Sequence, residues 1–365
     1  MVDAVVVVPA VARAWSSGLE EVVAAATRLS CVDGEAGVLR IAGVFLKDMV
    51  GRGFVGVTAD LLARAAADDV EAAAADNGFA ARYRAERTRL DGISFVDARW
   101  LDYEPMTTLR FALCAVDGDD PARFVAATHV VLAAWLRAHG GTSVEANDND
   151  SAGVFLLKRG LGDKDVAAGL ALDRYLTTVI DHGMNASTFT ARVVASTRAS
   201  LSSSLTAALG ALSGPLHGGA PGPVLDLLDA VAAGGVDVIE RELDAGRRLM
   251  GFGHRVYRVR DPRAAVLEAT VDTLLKMAPP TRRERLQRAR SLEATATAAL
   301  TRRHPDRPLP ANVEFFTAVL LEALGLPREA FSAVFAAGRV GGWCAHVVEQ
   351  RRTGKLIRPK SIEAR

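Results

Sequence analysis

From Leu201 the chain reads LSSSLTAALGALSGPLHGGAPGPVLDLLDAVAAGG, ending at Gly235. Leu201, Leu205, Ala208, Leu209 and Leu212 recur at helical spacing, which predicts an amphipathic helix. Pro223 suits the first turn of a second helix that carries Val224, Leu227, Leu228 and Val231, with Gly234 just past its end. Between the two, Pro215, Gly218 and Gly219 crowd a turn around His217. The reading is helix, glycine-rich corner, helix, with a histidine at the corner.

The same pattern continues outward. Val236, Ile239, Leu243 and Met250 mark another helix, with Arg247 and Arg248 in its last turn, where cations suit the helix dipole. Asp261-Pro262 is an N-cap followed by a first-turn proline, opening a helix with Val266, Val271, Leu274 and Leu275. Asn312 caps a helix through Phe315, Val319 and Leu320 that stops at Gly325, and Pro327 opens the next. That last helix carries a stripe of Gly338, Gly341, Gly342 and Ala345. Each helical glycine costs about 0.5–1 kcal/mol against alanine, so the stripe implies that another helix or a ligand comes close. Toward the N-terminus, residues 71–87 (EAAAADNGFAARYRAER) read as a mobile, polar helix, and Gly140 to Gly153 as an exposed loop. Period-2 strand patterns are scarce, and there is no repeat or heptad array. The architecture read from these patterns is mainly α, with a helical N-terminal half and a helical C-terminal half.

Composition sets outer limits. A chain of 365 residues suits two domains or one large one. Half of it is hydrophobic and 24% charged, which is enough for a sizeable core and argues against wholesale disorder. The 44 Lys and Arg balance the 43 Asp and Glu, so bulk charge does not point to nucleic acid or a membrane surface. Cys31, Cys114 and Cys344 are far apart and odd in number, so a reducing compartment is the simple reading. The apolar stretch VVVVPAVARAW is shorter than the roughly 20 residues that span a bilayer, and no basic residue precedes it. A cytoplasmic protein is expected.

The chemistry concentrates at three of seven histidines. His129, His139, His304 and His346 have ordinary surroundings, and a core or surface role suits them. His182 lies in IDHGMNASTF, His217 in SGPLHGGAPG and His254 in GFGHRVYRVRDPR. Glycines beside His217 let backbone approach a ligand, and amides near a helix start can hold an oxyanion; the plain alternative is a tight turn with an incidental histidine. His254 is followed by Arg255, Arg258, Arg260 and Arg263, a cationic cluster in a neutral protein that suits a phosphate or polycarboxylate, or else a solvated basic face. GFG there is no dinucleotide fingerprint, because Val256 holds the third glycine position. Glu314 lies in the first turn of the Asn312-capped helix, where the dipole favours the carboxylate that a base needs; an ordinary N-terminal acidic residue is the other reading.

Taken in order, DHGMNASTFTARVVAST, GALSGPLHGGAPGPVLDLL, LMGFGHRVYRVRDPRA, NVEFFTAVLLEALGLP and GRVGGWCAHVVEQRRTGKLIRPKS resemble the citrate synthase family over about the last 200 residues. GLEEVVAAATRLSCVDGEAGVLRIAG is a weaker match to the family's opening segment. The resemblance implies a two-domain all-α architecture. A large helical domain would comprise Met1–His217 and Leu326–Arg365, and a smaller domain, Gly218–Gly325, would hinge over it. It implies condensation of acetyl-CoA with oxaloacetate and hydrolysis of the thioester, with acetyl-CoA a co-substrate and neither metal nor other cofactor. By the same resemblance Glu314 removes the methyl proton, His217 hydrogen-bonds the enolate oxygen and His254 polarises the keto carbonyl. His182, Arg263 and Arg339 match ligands of oxaloacetate, Arg258 an arginine that binds CoA phosphate, and Arg358 an arginine that reaches the neighbouring subunit's site in a homodimer.

The chain departs from the family pattern at several places. Most members carry Asp where Glu314 stands, although branches with NVEF and GWCAH carry Glu. Pro221 replaces the usual Asn after HGGA, LRIAGV (Leu39 to Val44) replaces LxYRGY, and EPM (Glu104 to Met106) replaces HPM. Two rivals follow. One is 2-methylcitrate synthase using propionyl-CoA, since one methylene is worth only about 1–3 kcal/mol in an apolar pocket. The other is a non-catalytic paralogue that binds CoA or a dicarboxylate and assembles with a true synthase. The histidines are not spaced as metal ligands.

Overall fold

The computed structural model describes residues 22–68, 78–92, 95–218, 221–253, 257 and 259–361. Helices dominate: α1 (Leu46–Met49), α2 (Gly53–Ala66), α3 (Phe79–Gly92), α4 (Pro105–Cys114), α5 (Pro121–Ala138), α6 (Ala152–Leu161), α7 (Val166–Thr178) and α8 (Ala186–Ser196). There follow α9 (Leu201–Leu212), α10 (Pro221–Gly234), α11 (Asp237–Asp244), α12 (Pro262–Met277), α13 (Pro280–Arg303), α14 (Val313–Ala323) and α15 (Phe331–Thr353).

The expected caps are present. Asp261 accepts from the Arg263 amide at the start of α12, and Asn312 accepts from the amides of Glu314 and Phe315 at the start of α14. Each satisfies amides that a helix leaves unpaired in its first turn.

Helix α15 is the axis of the larger helical group and is buried along most of its length, with Trp343 fully enclosed. It packs on α2, α5, α7, α8 and α9. Its glycine stripe admits neighbouring backbone. A Cβ on Gly338 would lie 2.9 Å from the Leu176 carbonyl oxygen, and one on Gly342 would lie 2.1 Å from that of Ile180. The cost of helical glycine is offset by close contact with the end of α7 and the segment after it. Helices α10 to α14 pack on one another, and α12 also lies against α7 and α1.

A small antiparallel sheet was absent from the sequence expectation. Strands β1 (Ser30–Asp33), β2 (Val38–Ile41) and β3 (Val44–Phe45) pair in that order, with Ser30 opposite Ile41 and Arg40 opposite Phe45. The β2–β3 turn holds Ala42 at φ 48° and Gly43 at φ 81°, both in the left-handed region. The Arg64 guanidinium donates to the Ala42 carbonyl at 2.7 Å and braces this turn.

Three expectations need correction. Helix α11 ends at Asp244 and Gly246 turns the chain at φ 70°, so Met250, Arg247 and Arg248 lie beyond it. Of the stretch read as a mobile polar helix, residues 71–77 lie outside the described residues. The rest, in α3, buries Phe79, Tyr83 and Arg87. The Arg87 guanidinium donates to the carbonyls of Asp150, Asn147 and Asp148, so it holds the 140–151 loop and is itself satisfied. That loop ends at Ser151, which caps α6; Ala152 and Gly153 are buried in the helix, not exposed.

Candidate active site

Four segments converge. The first follows α7, where Ile180 and Asp181 are buried and His182 faces Tyr257. His182 Nε2 lies 3.0 Å from the Tyr257 hydroxyl, with their rings edge to face. Asn185 then caps α8 by accepting from the Thr188 amide.

The second is the corner between α9 and α10. The His217 amide donates to the Gly214 carbonyl, and Ser332 donates to the Gly218 carbonyl, which ties the corner to the first turn of α15. His217 Nε2 accepts from the Ser187 amide at 3.4 Å and from the Ser187 hydroxyl at 2.9 Å, which puts the ring hydrogen on Nδ1; the same hydroxyl accepts from Trp343 Nε1. Nε2 is thus engaged by Ser187. Burial and the nearby charge of Arg339 hold the imidazole pKa down to about 4. His217 is therefore a neutral hydrogen-bonding group at neutral pH.

The third is the start of α12. Asp261 accepts from the amide of Arg263 and, at 2.8 Å, from its guanidinium, fixing a buried arginine at a helix start.

The fourth is the start of α14, joined to the glycine loop that precedes His254. Phe252 bridges Ala311, the Asn312 amide donates to Gly251, and Asn312 Nδ2 donates to the Gly253 carbonyl at 2.8 Å. Gly251 sits at φ 89°, and a Cβ there would lie 2.9 Å from Val224 and 3.1 Å from Phe315. One residue, Asn312, therefore positions both the loop and Glu314. The Glu314 Oε2 atom is enclosed and makes no hydrogen bond. Burial raises the Glu314 pKa, and the Arg263 charge partly offsets that.

Arg339 completes the set from α15. Its Nε donates to the Val179 carbonyl at 2.6 Å, and its guanidinium stacks over Phe335, the ring that also meets His217. Burial lowers its pKa to about 10; Asp181 works against that shift and Arg263 adds to it. Arg263 and Arg339 are buried and feel each other's charge, with Asp261 and Glu314 acting on the first and Asp181 on the second.

The structure thus brings together His182, His217, Arg263, Glu314 and Arg339. His254 and Arg258 lie outside the described residues, between Gly253 and Tyr257 and just after Tyr257. Arg358 does not join its own chain's cluster. It is exposed on the segment after α15, which is tied down where the Ile357 amide donates to Ser196 and Gln350 donates to the Lys355 carbonyl.

Sequence reading missed one feature. A cleft of about 1170 Å³ opens beside the corner, lined by Leu216, Met250 and Leu309 and by Arg247, Arg248, Arg303 and Arg307. The arginines come from two segments more than 50 residues apart, so no run of sequence shows them as a group. The fully exposed Leu216, next to His217, was the available signal.

The class defined so far is a helical protein that gathers two buried arginines, a carboxylate and an imidazole in one place. The sequence matches the family described as citrate synthase, C-terminal domain, over residues 18–360. It is 34% identical to the citrate synthase of Haloferax volcanii over 94% of both chains, and 32% identical to the 2-methylcitrate synthase of Shewanella oneidensis over 66% of this chain and 63% of that one. The crystal structure of citrate synthase from Thermotoga maritima superposes with a TM-score of 0.74 at 28% identity, covering 95% of each chain. The chain belongs to the citrate synthase family and is a transferase of that type.

Proposed function

We propose that this protein joins an acyl-CoA, acetyl-CoA first, to oxaloacetate and hydrolyses the thioester to release citrate and free CoA. The observation that carries this reading is the enclosed Glu314 oxygen without a hydrogen bond, close to the charge of Arg263. The Glu314 carboxylate takes a proton from the thioester methyl. The neutral His217 stabilises the developing enolate oxygen, where a charged imidazole would donate its own proton. The enolate carbon then bonds to the keto carbon of oxaloacetate while His254 supplies the hydrogen bond and proton that turn the keto oxygen into a hydroxyl. Water cleaves the thioester, and the sulfur leaves as the thiol. His182, Arg263 and Arg339 hold the two carboxylates of oxaloacetate.

The basic cleft suits CoA. Its arginines match the phosphates and its leucines and methionine the adenine and pantetheine, and the family resemblance makes Arg258 a further candidate for a phosphate. The reaction draws on no metal or cofactor beyond the co-substrate. Residues 1–217 and 326–365 form the large domain, and 218–325 close over it, which shields the enolate from water. The functional unit in this reading is a homodimer in which Arg358 reaches the partner's dicarboxylate, working in the cytoplasm at the entry of the tricarboxylic acid cycle. No helix among the described residues is long and apolar enough to cross a membrane.

Thiol release from a panel of acyl-CoAs, each with and without oxaloacetate, tests the proposal. Release from acetyl-CoA that requires oxaloacetate supports it. A kcat/KM higher with propionyl-CoA assigns 2-methylcitrate synthesis instead. No oxaloacetate-dependent release with any acyl-CoA leaves a binding paralogue.

A further inference from the structure

Behind the two dicarboxylate ligands runs a chain of buried charged side chains that the condensation itself does not use. Asp181 is fully buried, and its carboxylate accepts from the His182 amide at 2.9 Å and from His346 Nε2 at 3.1 Å. On the other side of the His346 ring, Arg192 Nη1 lies 3.0 Å from Nδ1. A guanidinium nitrogen only donates, so Nδ1 accepts and the ring hydrogen sits on Nε2, facing Asp181. Arg192 is itself fixed by Glu349 at 2.6 Å and by Gln350 at 3.0 Å. Glu349 also accepts from the Arg28 amide at 2.9 Å.

This chain spans α8, α15 and the segment after α7. Its inner end bears on both ligands. Asp181 holds the His182 backbone and balances the charge of Arg339, which the neighbouring Val179 carbonyl anchors. Burial works to neutralise Asp181, but His346, Ser30 and Arg339 more than offset it, so the carboxyl stays ionised. Ser30 on β1 also accepts from the Gly183 amide at 3.1 Å, which gives the small sheet a task as a brace for the same loop.

We propose that Asp181, oriented by His346 and Arg192, is the positioning residue of the dicarboxylate site and sets the affinity for oxaloacetate through His182 and Arg339. A fully buried Arg–Glu pair and a buried His–Asp pair are costly to desolvate, and their stabilisation of the fold alone is modest. Their placement directly behind two ligands accounts for them.

The inference rests on the synthase reading, and oxaloacetate-dependent thiol release by the unmodified protein checks that reading first. Steady-state constants are then measured for Asp181→Asn, His346→Leu and His346→Gln, with thermal melts on each. Asp181→Asn and His346→Leu are expected to raise the oxaloacetate KM about 10-fold or more, as a ligand displaced by a fraction of an ångström does, with kcat at saturation within about 3-fold and the acetyl-CoA KM unchanged. His346→Gln offers an N–H to Asp181 and an oxygen to Arg192, so it is expected to restore the oxaloacetate KM to within about 3-fold of the unmodified value. A merely structural role would lower the melting point and kcat, through loss of active protein, and leave KM alone. That outcome overturns the proposal, as does a KM rise in His346→Leu that His346→Gln does not reverse. If Asp181→Asn does not fold, the two His346 variants decide the matter.

Discussion

His217 and Ser187 are 30 residues apart in the chain, and their side chains meet at 2.9 Å where α8 begins and the corner after α9 turns. The Ser187 hydroxyl also takes the indole hydrogen of Trp343, so one small side chain orients the histidine and satisfies a buried donor. Ser187→Ala frees the imidazole and orphans the indole. The second effect costs about 1–3 kcal/mol of stability. The first is expected to lower kcat about 10-fold or more with a smaller change in the oxaloacetate KM. Melting curves and steady-state kinetics on the same preparation separate the two; unchanged kcat would show that Ser187 does not position the imidazole.

Glu314→Gln keeps size and hydrogen bonding but removes the base. Turnover is expected to fall at least about 100-fold. Oxaloacetate binding, followed by calorimetry, survives. Near-normal turnover would assign proton abstraction to another group.

The pH dependence follows from the sign of the Glu314 shift. Burial raises its pKa, so the active carboxylate form appears only above a pH higher than the usual carboxylate value of about 4.3. The acid limb of kcat/KM for the acyl-CoA, at saturating oxaloacetate, therefore lies above that value, and the residual activity of Glu314→Gln lacks it. A limb that persists in the variant belongs to a different group.

Acid stability depends on two histidines, His129 fully buried and His217 partly buried. His129 accepts from the Tyr83 hydroxyl at 2.8 Å and donates to the Ala337 carbonyl at 3.1 Å, and burial lowers its pKa to about 4, as burial and Arg339 do for His217. Both pKa values are depressed, so below about pH 6.5 the unfolded chain binds more protons than the folded one. Their contribution is complete above about pH 6.5 and is lost as the pH falls toward 4. Urea unfolding at stepped pH is expected to show that decline, with a shallower slope in His129→Gln. A slope the same in both proteins would contradict the assignment.

The glycine stripe of α15 ties packing to the site. A Cβ on Gly342 meets the Ile180 carbonyl at 2.1 Å, and backbone cannot swing aside as a side chain can. Gly342→Ala is expected to cost about 1–3 kcal/mol and, by pushing the loop that carries Asp181 and His182, to raise the oxaloacetate KM. A stable variant with unchanged KM would mean that the loop adapts freely.

Much of the site was legible because local chemistry announces it. Asp261-Pro262 and Asn312 are caps whatever surrounds them, and they carry Arg263 and Glu314. Histidines beside glycines marked two of the converging loops. What escaped depends on tertiary contact. Strands of two to four residues are too short for alternation to show, so the sheet from Ser30 to Phe45 was missed. His346 reads as one polar residue on a helix; only folding sets it between Arg192 and Asp181. Arg87 looked solvated because its partners are carbonyls of a loop about 60 residues away.

The most direct measurement follows the carbon. The protein is given acetyl-CoA labelled with carbon-13 in the acetyl group together with unlabelled oxaloacetate, and the products are read by mass spectrometry. The account predicts citrate carrying both labelled carbons, formed with one free thiol per citrate, and at least about 100-fold less of it from Glu314→Gln in the same time. Labelled acetate in place of labelled citrate, or thiol release that ignores oxaloacetate, would contradict it.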